Sequence, residues 1–293
     1  MLDDETWARL LHTRATDPGA VATAWAGRRR RPLVRGDGRL FLVAADHPAR
    51  GALGVGADPL AMADRRSLLR RLLTALRHPK VDGVLAGPDV LDELALLGAL
   101  DGRLAFGSLN RGGLAGSAWE LDDPLTAHDP RAIAEQGLDG GKMLLRLDLA
   151  DRDTRITLAA CAGWVSELAR AGLPALVEPL PYRRGTDGDL ELDRSEPALV
   201  RAVTVAAGLG ATSAHTWLKL PSWPGTAAAC AASTLPVLVL GGAPTGDLAA
   251  DLAGWRATLA LPTVRGLVVG RTLLYPSDGD VYAAVDAAAK VLS

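Results

Sequence analysis

Lysine is scarce in this sequence, and two of its lysines stand where an amine can do chemistry. Of 32 basic residues only Lys80, Lys142, Lys219 and Lys290 are lysines, which leaves 28 arginines. The bias fits a GC-rich genome. Where a plain positive charge suffices, this chain writes Arg. A lysine inside an apolar run therefore marks a demand for an amine, because a guanidinium neither deprotonates nor forms an imine. Lys80 and Lys290 read as surface residues. Lys219 lies in AHTWLKL and Lys142 in GGKMLLRL, while Asp46 follows LFLVAA and Glu178 closes PALVE. One neutral amine, one ammonium and a proton-carrying acid are the parts that imine chemistry needs. Taken singly, each residue has a structural alternative. Asp46 fits a turn or helix cap, and Glu178 and an inward lysine fit a buried ion pair. The case rests on the set.

The set has meaning only if the fold brings its members together. Eight short apolar runs recur along the chain: Leu40–Ala45, Val81–Ala86, Arg103–Ser108, Gly140–Leu147, Pro174–Glu178, Ala214–Leu220, Pro236–Leu240 and Arg265–Val269. They have strand length and are bounded by Gly, Pro or Asp. Between them run stretches of helical period, among them Ala63–Leu76, Asp153–Ala171, Ser195–Ala207, Gly246–Ala260 and Val281–Leu292. Alternating strands and helices imply parallel strands, and eight units imply closure into an α/β barrel, a (β/α)8 TIM barrel. The rival is an open doubly wound sheet, but no G-x-G-x-x-G follows the first strand. The expected organisation is a single domain over 1–293. Residues 1–35 form an N-terminal extension of one or two helices under or beside a barrel that spans 38–293.

Barrel active sites lie at the C-terminal ends of the strands, and residues two apart share a face. On the sixth barrel strand His215, Trp217 and Lys219 share the expected inner face, with Lys219 nearest the mouth. Walled by Trp217, that amine is expected to be hard to charge. On the fourth, Lys142, Leu144 and Arg146 share the inner face. Lys142 is expected to stay protonated beside Glu178, so that it depresses the pKa of Lys219 or binds an oxyanion. Asp46 tips the inner row of Leu42 and Ala44, and Glu178 tips that of Leu176. The seventh and eighth strands end in Gly241–Gly242 and in Gly270–Arg271. Strand ends of this kind are the usual phosphate site of the fold, with Arg271 adding a fork of donors; plain tight turns are the alternative.

Composition narrows the rest. A net charge of −2 and a pI near 6.2 give no general attraction to nucleic acid or to an anionic membrane. Apolar runs are broken before about 18 residues, so no membrane span is expected. The N-terminus lacks the features of a signal peptide, and a cytoplasmic location follows as the default. Cys161 and Cys230 read as packing residues, with no disulfide framework or zinc site. Arg28–Arg31 reads as a solvated connector, with a homo-oligomer contact as the other use.

The ordered set of motifs resembles the class I aldolases of the deoxyribose-phosphate, tagatose-bisphosphate and bacterial or archaeal fructose-bisphosphate group. Asp46 in AADHPARG resembles their first-strand Asp, followed by His or Gln. GLDGGKMLLRLD is similar to their fourth-strand G-A-D-x-x-K-x-L-L, VEPLPY to their L-E-x-x-x-Y, and TWLKLP to the Schiff-base D-x-x-K. LVLGG and VVGR are similar to their phosphate-binding strand ends. The likeness covers about residues 38–275. Two departures stand out: GATSAHTWLK lacks the acid before the lysine, and Y-P-R-G reads YRRG at Tyr182–Gly185. The chain looks closest to a (β/α)8 branch associated with inositol catabolism.

The resemblance implies a class I aldolase, a lyase of carbohydrate metabolism that needs no cofactor and no metal. Its implied substrate is a phosphorylated keto sugar or sugar acid, with 2-deoxy-5-keto-gluconate 6-phosphate as one candidate. Lys219 is the expected nucleophile. Glu178, with Lys142 or Tyr182, moves protons, and Asp46 takes the hydroxyl proton. Gly241, Gly242, Gly270, Arg271, Arg146, Trp217 and His215 are the expected binding residues. The alternatives are another imine-based lyase or acyl transferase, or a non-catalytic barrel that binds a sugar phosphate. The altered segment before Lys219 speaks for that last reading.

Overall fold

Each of the eight apolar runs forms a strand in the computed structural model, which describes residues 2–186, 188–242 and 246–292. The barrel strands are β1 Leu40–Ala45, β2 Gly83–Ala86, β3 Leu104–Ser108, β4 Gly140–Leu147, β5 Ala175–Arg184, β7 Thr216–Leu220, β8 Val237–Leu240 and β9 Val264–Val269. All neighbours pair in parallel, in the order β4-β3-β2-β1-β9-β8-β7-β5, and β4 pairs with β5 to close the ring. The open-sheet alternative is thereby removed. One short strand was not expected. β5 runs on past Glu178 to Arg184, and its end pairs antiparallel with β6, Leu190–Leu192, as a hairpin.

The expected amphipathic stretches are helices: α3 Arg65–Leu76, α6 Asp153–Arg170, α7 Glu196–Ala207, α9 Leu248–Leu259 and α11 Val281–Val291. Asp64, Asp247 and Asp280 cap α3, α9 and α11 by accepting first-turn backbone N–H groups, which satisfies donors that a helix end leaves open. Strand side chains alternate between two cores. Phe41, Val43, Val177, Leu218 and Leu220 meet the helices in one cluster; Leu40, Leu42, Leu85, Phe106, Leu176, Leu238 and Val268 fill the barrel interior in another. Cys161 and Cys230 are buried and free, and burial raises both thiols. No helix among the described residues is long and apolar enough to cross a membrane.

The first 35 residues hold α1, Asp4–Thr16, and α2, Gly19–Gly27. Trp25 of α2 is buried and donates its indole N–H to Asp92. The arginine run that follows is only in part the solvated connector expected of it: Arg29 and Arg30 are exposed, but the side chains of Arg28 and Arg31 are not. Arg28 is 3% exposed and pairs with Asp139 at 2.9 Å; Arg31 pairs with Asp82. Asp82 and Asp139 precede β2 and β4, at the end of the barrel opposite the mouth. Each also accepts a backbone N–H from an adjoining strand, Phe41 for Asp82 and Ala105 for Asp139. Sequence periodicity missed this because a run of like charges signals solvent unless its partners are known, and these partners lie more than fifty residues away.

Candidate active site

At the C-terminal ends of the strands a cavity of about 450 Å³ is lined by Asp46, Lys142, Glu178 and Lys219. Alternation places them there: each continues an inner row whose deeper members, such as Leu42, Ala44 and Leu176, lie in the barrel core. The four join in one chain of contacts. Lys142 Nζ lies 3.1 Å from Asp46 Oδ2 and 2.5 Å from Glu178 Oε2, and Lys219 Nζ lies 3.0 Å from Glu178 Oε1. Unlike the capping aspartates, Asp46 turns its carboxylate toward side chains of the barrel mouth.

Electrostatics follow from burial and charge. Burial alone would raise both carboxyls. Lys142, Arg111 and Lys219 outweigh it and hold Asp46 well below the usual carboxylate range. The two lysines likewise bring Glu178 down to about 2. Both are anions at neutral pH. Burial, reinforced by Arg111, pushes Lys142 down to about 8 against the pull of Asp46 and Glu178. Lys142 meets Glu178 as expected, but it does so at 1% exposure and loses its charge more readily than a free lysine.

The wall proposed for Lys219 is also corrected. Trp217 faces inward but packs with Leu176 and its layer deeper in the barrel, and it does not line the cavity. His215 precedes β7, still farther from the mouth. Neither can touch a substrate in this cavity. Arg146 is inward and buried, but it is consumed by the segment after β3. It donates to the carbonyls of Gly113 and Glu120 and pairs with Asp123 at 3.3 Å. It holds a loop and does not line the cavity.

The other expected residues are in the wall. Tyr182 lines the cavity from the hairpin; burial raises its phenol despite nearby Arg146 and Arg50, so it carries its proton at neutral pH. Gly241, Gly242, Gly270 and Arg271 line the side formed by β8 and β9. The loop after Gly242 continues into 243–245, outside the described residues. Gly270 is required by packing: a Cβ there would sit 2.4 Å from the carbonyl oxygen of Ala44. Arg271 donates to the carbonyl of Gly54 at 3.3 Å.

Sequence reading missed several residues in the wall or directly behind it. Ser108 Oγ donates to Asp46 at 3.2 Å and continues the inner row of Phe106, so alternation contains its signal. Arg111 pairs with Asp46 at 3.0 Å. It lies beyond the strand, where no period applies. Asn110 anchors it by bonding both the N–H and the carbonyl of Leu144. His47 lies beside Asp46, and burial with the cations Arg271, Lys219 and Arg50 lowers it to about 3, so it is a neutral imidazole. Arg50, Arg194 and Trp223 complete the rim. Among the described residues no group of three or more His, Cys, Asp or Glu side chains is placed to hold a metal ion.

The departure at GATSAHTWLK does not reach the site. Thr216, three residues before Lys219, takes the place of the acid. It shares a face with Leu218 and Leu220 toward the helices. An acid there could not meet the amine, whose partner is Glu178.

Comparison with known proteins agrees with this architecture. Residues 38–289 match the sequence profile of the Cgl0159-like family. The structure of Cgl0159 from Corynebacterium glutamicum (Brevibacterium flavum) is 46% identical, with a TM-score of 0.96 over 99% of this chain and 97% of that one. An archaeal fructose 1,6-bisphosphate aldolase superposes with a TM-score of 0.68 at 18% identity, covering 93% of this chain and 98% of its own. A second structure of an archaeal fructose-1,6-bisphosphate aldolase, with its catalytic Lys bound to the carbinolamine intermediate, gives 0.68 at 17% over 93% and 99%. No functionally curated protein matches the chain. These matches show that the chain belongs to the Cgl0159-like family and that its barrel has the fold of the class I fructose-bisphosphate aldolases.

Proposed function

We propose that the protein is a class I aldolase that cleaves or forms a C–C bond of a phosphorylated keto sugar or sugar acid through a Schiff base on Lys219. One observation carries the reading: Lys219 and Lys142 take one oxygen each of the same buried carboxylate, Glu178, beside a second carboxylate, Asp46, at the barrel mouth. A purely structural ion pair needs neither two amines nor a cavity. The fold shared with Schiff-base-forming fructose-bisphosphate aldolases supports it.

Lys219 gives up a proton to Glu178 and attacks the substrate ketone. Carbinolamine loses water as Glu178, relayed by Lys142 or Tyr182, returns that proton to the departing hydroxyl. Asp46 then takes the proton of the substrate hydroxyl as the C–C bond breaks, and the iminium accepts the electron pair as an enamine. Gly241, Gly242, Gly270 and Arg271 hold the phosphate, away from the reacting carbons. The test is turnover and substrate-dependent borohydride inactivation with fructose 1,6-bisphosphate, tagatose 1,6-bisphosphate, 2-deoxyribose 5-phosphate and 2-deoxy-5-keto-gluconate 6-phosphate. At least one should inactivate irreversibly. Binding without inactivation by any of them would favour a non-catalytic barrel.

A further inference from the structure

Arg111 stands out among the cavity residues because its charge is only partly used. It is 3% exposed and lines the cavity. Nε donates to the carbonyl of Asn110 at 2.6 Å, and Nη1 lies 3.0 Å from Asp46 Oδ2. Nη2 is buried with no hydrogen-bond partner among the described residues. Arg146, carried on β4 beside it, is the contrast. Both of its terminal nitrogens are taken by the segment after β3, and it lies outside the cavity lining.

Asp46 is similarly lopsided. Ser108, Lys142 and Arg111 all converge on Oδ2. Oδ1 lies 3.8 Å from His47 Nδ1, beyond hydrogen-bond reach. One acceptor and one unpaired donor therefore belong to a single ion pair at the cavity wall. A hydroxyl, which both donates and accepts, matches that pair; a second carboxylate would not.

We propose that Arg111 is a catalytic residue of the cleavage step, its Nη2 donating to the oxygen of the substrate hydroxyl whose proton Asp46 Oδ1 receives. The inference rests on the Schiff-base reading and deepens it. In the step, the O–H bond breaks and its proton goes to Asp46. The electron pair left on oxygen becomes the second bond of the product carbonyl. The C–C bond breaks, and its electrons pass to the iminium of Lys219, giving a neutral enamine. Negative charge builds on the oxygen on the way. Asp46, surrounded by cations, is a weak base for an alcohol, so the step needs a fixed donor at the oxygen to lower the alcohol's own pKa. Lys219 is bonded in the imine and Lys142 lies between Asp46 and Glu178. Arg111 is the remaining cation in contact with Asp46, and a guanidinium keeps its charge throughout.

Imine formation precedes this step and meets Arg111 only through its charge beside Lys142, which Arg111→Lys keeps, so the two can be measured apart. In Arg111→Ala and Arg111→Lys, borohydride trapping with the substrate that labels wild type best should stay within about threefold of wild type, while aldehyde release falls about 10²–10³-fold. Added guanidinium chloride should restore part of the cleavage in Arg111→Ala. Arg111→Lys keeps a cation on Asp46, and circular dichroism of both variants should match wild type. Parallel loss of trapping and cleavage would make Arg111 a clamp for its loop and overturn the proposal, as would unimpaired cleavage. Wild type that none of the four sugar phosphates labels would instead end the imine reading, and the role of Arg111 with it.

Discussion

The two ends of the barrel carry similar charges and use them differently. At the closed end Asp82 and Asp139 are held by Arg28, Arg30, Arg31 and Arg35. At the mouth Asp46 and Glu178 are held by Lys142, Lys219 and Arg111. Both networks bury their carboxylates, although Arg30 and Arg35 stay half-exposed. At the closed end the carboxylates also take backbone N–H groups of adjoining strands, and the cations cannot lose their protons. That network ties the N-terminal segment to strand ends. At the mouth the amines can deprotonate, their partners are side chains, and a cavity lies beside them. A buried ion pair by itself indicates neither stability nor function; here the choice of lysine or arginine separates the two.

Substitutions can break this comparison. The largest expected effect is at the mouth. Lys219→Arg keeps the charge beside Glu178 and should lower turnover by roughly 10⁴-fold or more, with trapping lost, because a guanidinium forms no imine. Near-wild-type turnover in that variant, measured by aldehyde release, would place the nucleophile elsewhere.

Arg28→Ala tests the closed end. It leaves Asp139 short of a buried partner and should cost about 3 kcal/mol of stability in urea unfolding, with borohydride labelling of the folded protein unchanged. A loss of labelling in folded Arg28→Ala would mean that the two ends are coupled.

The pH dependence sharpens the contrast. With Lys142 near 8, the fraction carrying the ammonium falls as pH rises through that value. If the ammonium is the acid, turnover should drop about tenfold per unit above it, and Lys142→Arg, slower overall, should lack that limb. The sign for stability is opposite. The folded pKa lies below the unfolded one, so between about 8 and the ordinary lysine value of 10.5 the unfolded state binds more protons, and this group makes stability rise with pH. Glu178 has the same sign in a lower range: its contribution is present above its ordinary value of 4.5 and is lost as pH falls toward about 2. Denaturant midpoints across both ranges check the signs. The smallest effect is expected at Arg271→Ala, which should raise KM by about tenfold with little change in kcat if the residue holds phosphate uniformly. A loss confined to kcat would contradict that role.

What the sequence made legible follows from what period-two alternation can report. Within strands it placed Asp46, Lys142, Glu178 and Lys219 on inner rows, and these four meet. It failed where depth mattered. Trp217 is inward, as alternation requires, but one layer too deep to line the cavity. Arg146 is inward too, yet it is spent on a loop whose path the strand pattern does not encode. Arg111, Arg50 and Arg194 lie beyond strand ends, where no period operates. The β5–β6 hairpin was hidden because β5 simply runs on past the expected strand end at Glu178. The arginines of the closed end looked like solvent-facing charge because their aspartates are remote in sequence.

The most direct measurement is the site of covalent labelling. Wild-type protein is incubated with the most strongly inactivating sugar phosphate and reduced with borohydride, then digested and mapped by mass spectrometry. The account predicts one substrate-derived mass increment, on the peptide containing Lys219, absent when substrate is left out. An increment on Lys142 with Lys219 unmodified would contradict it.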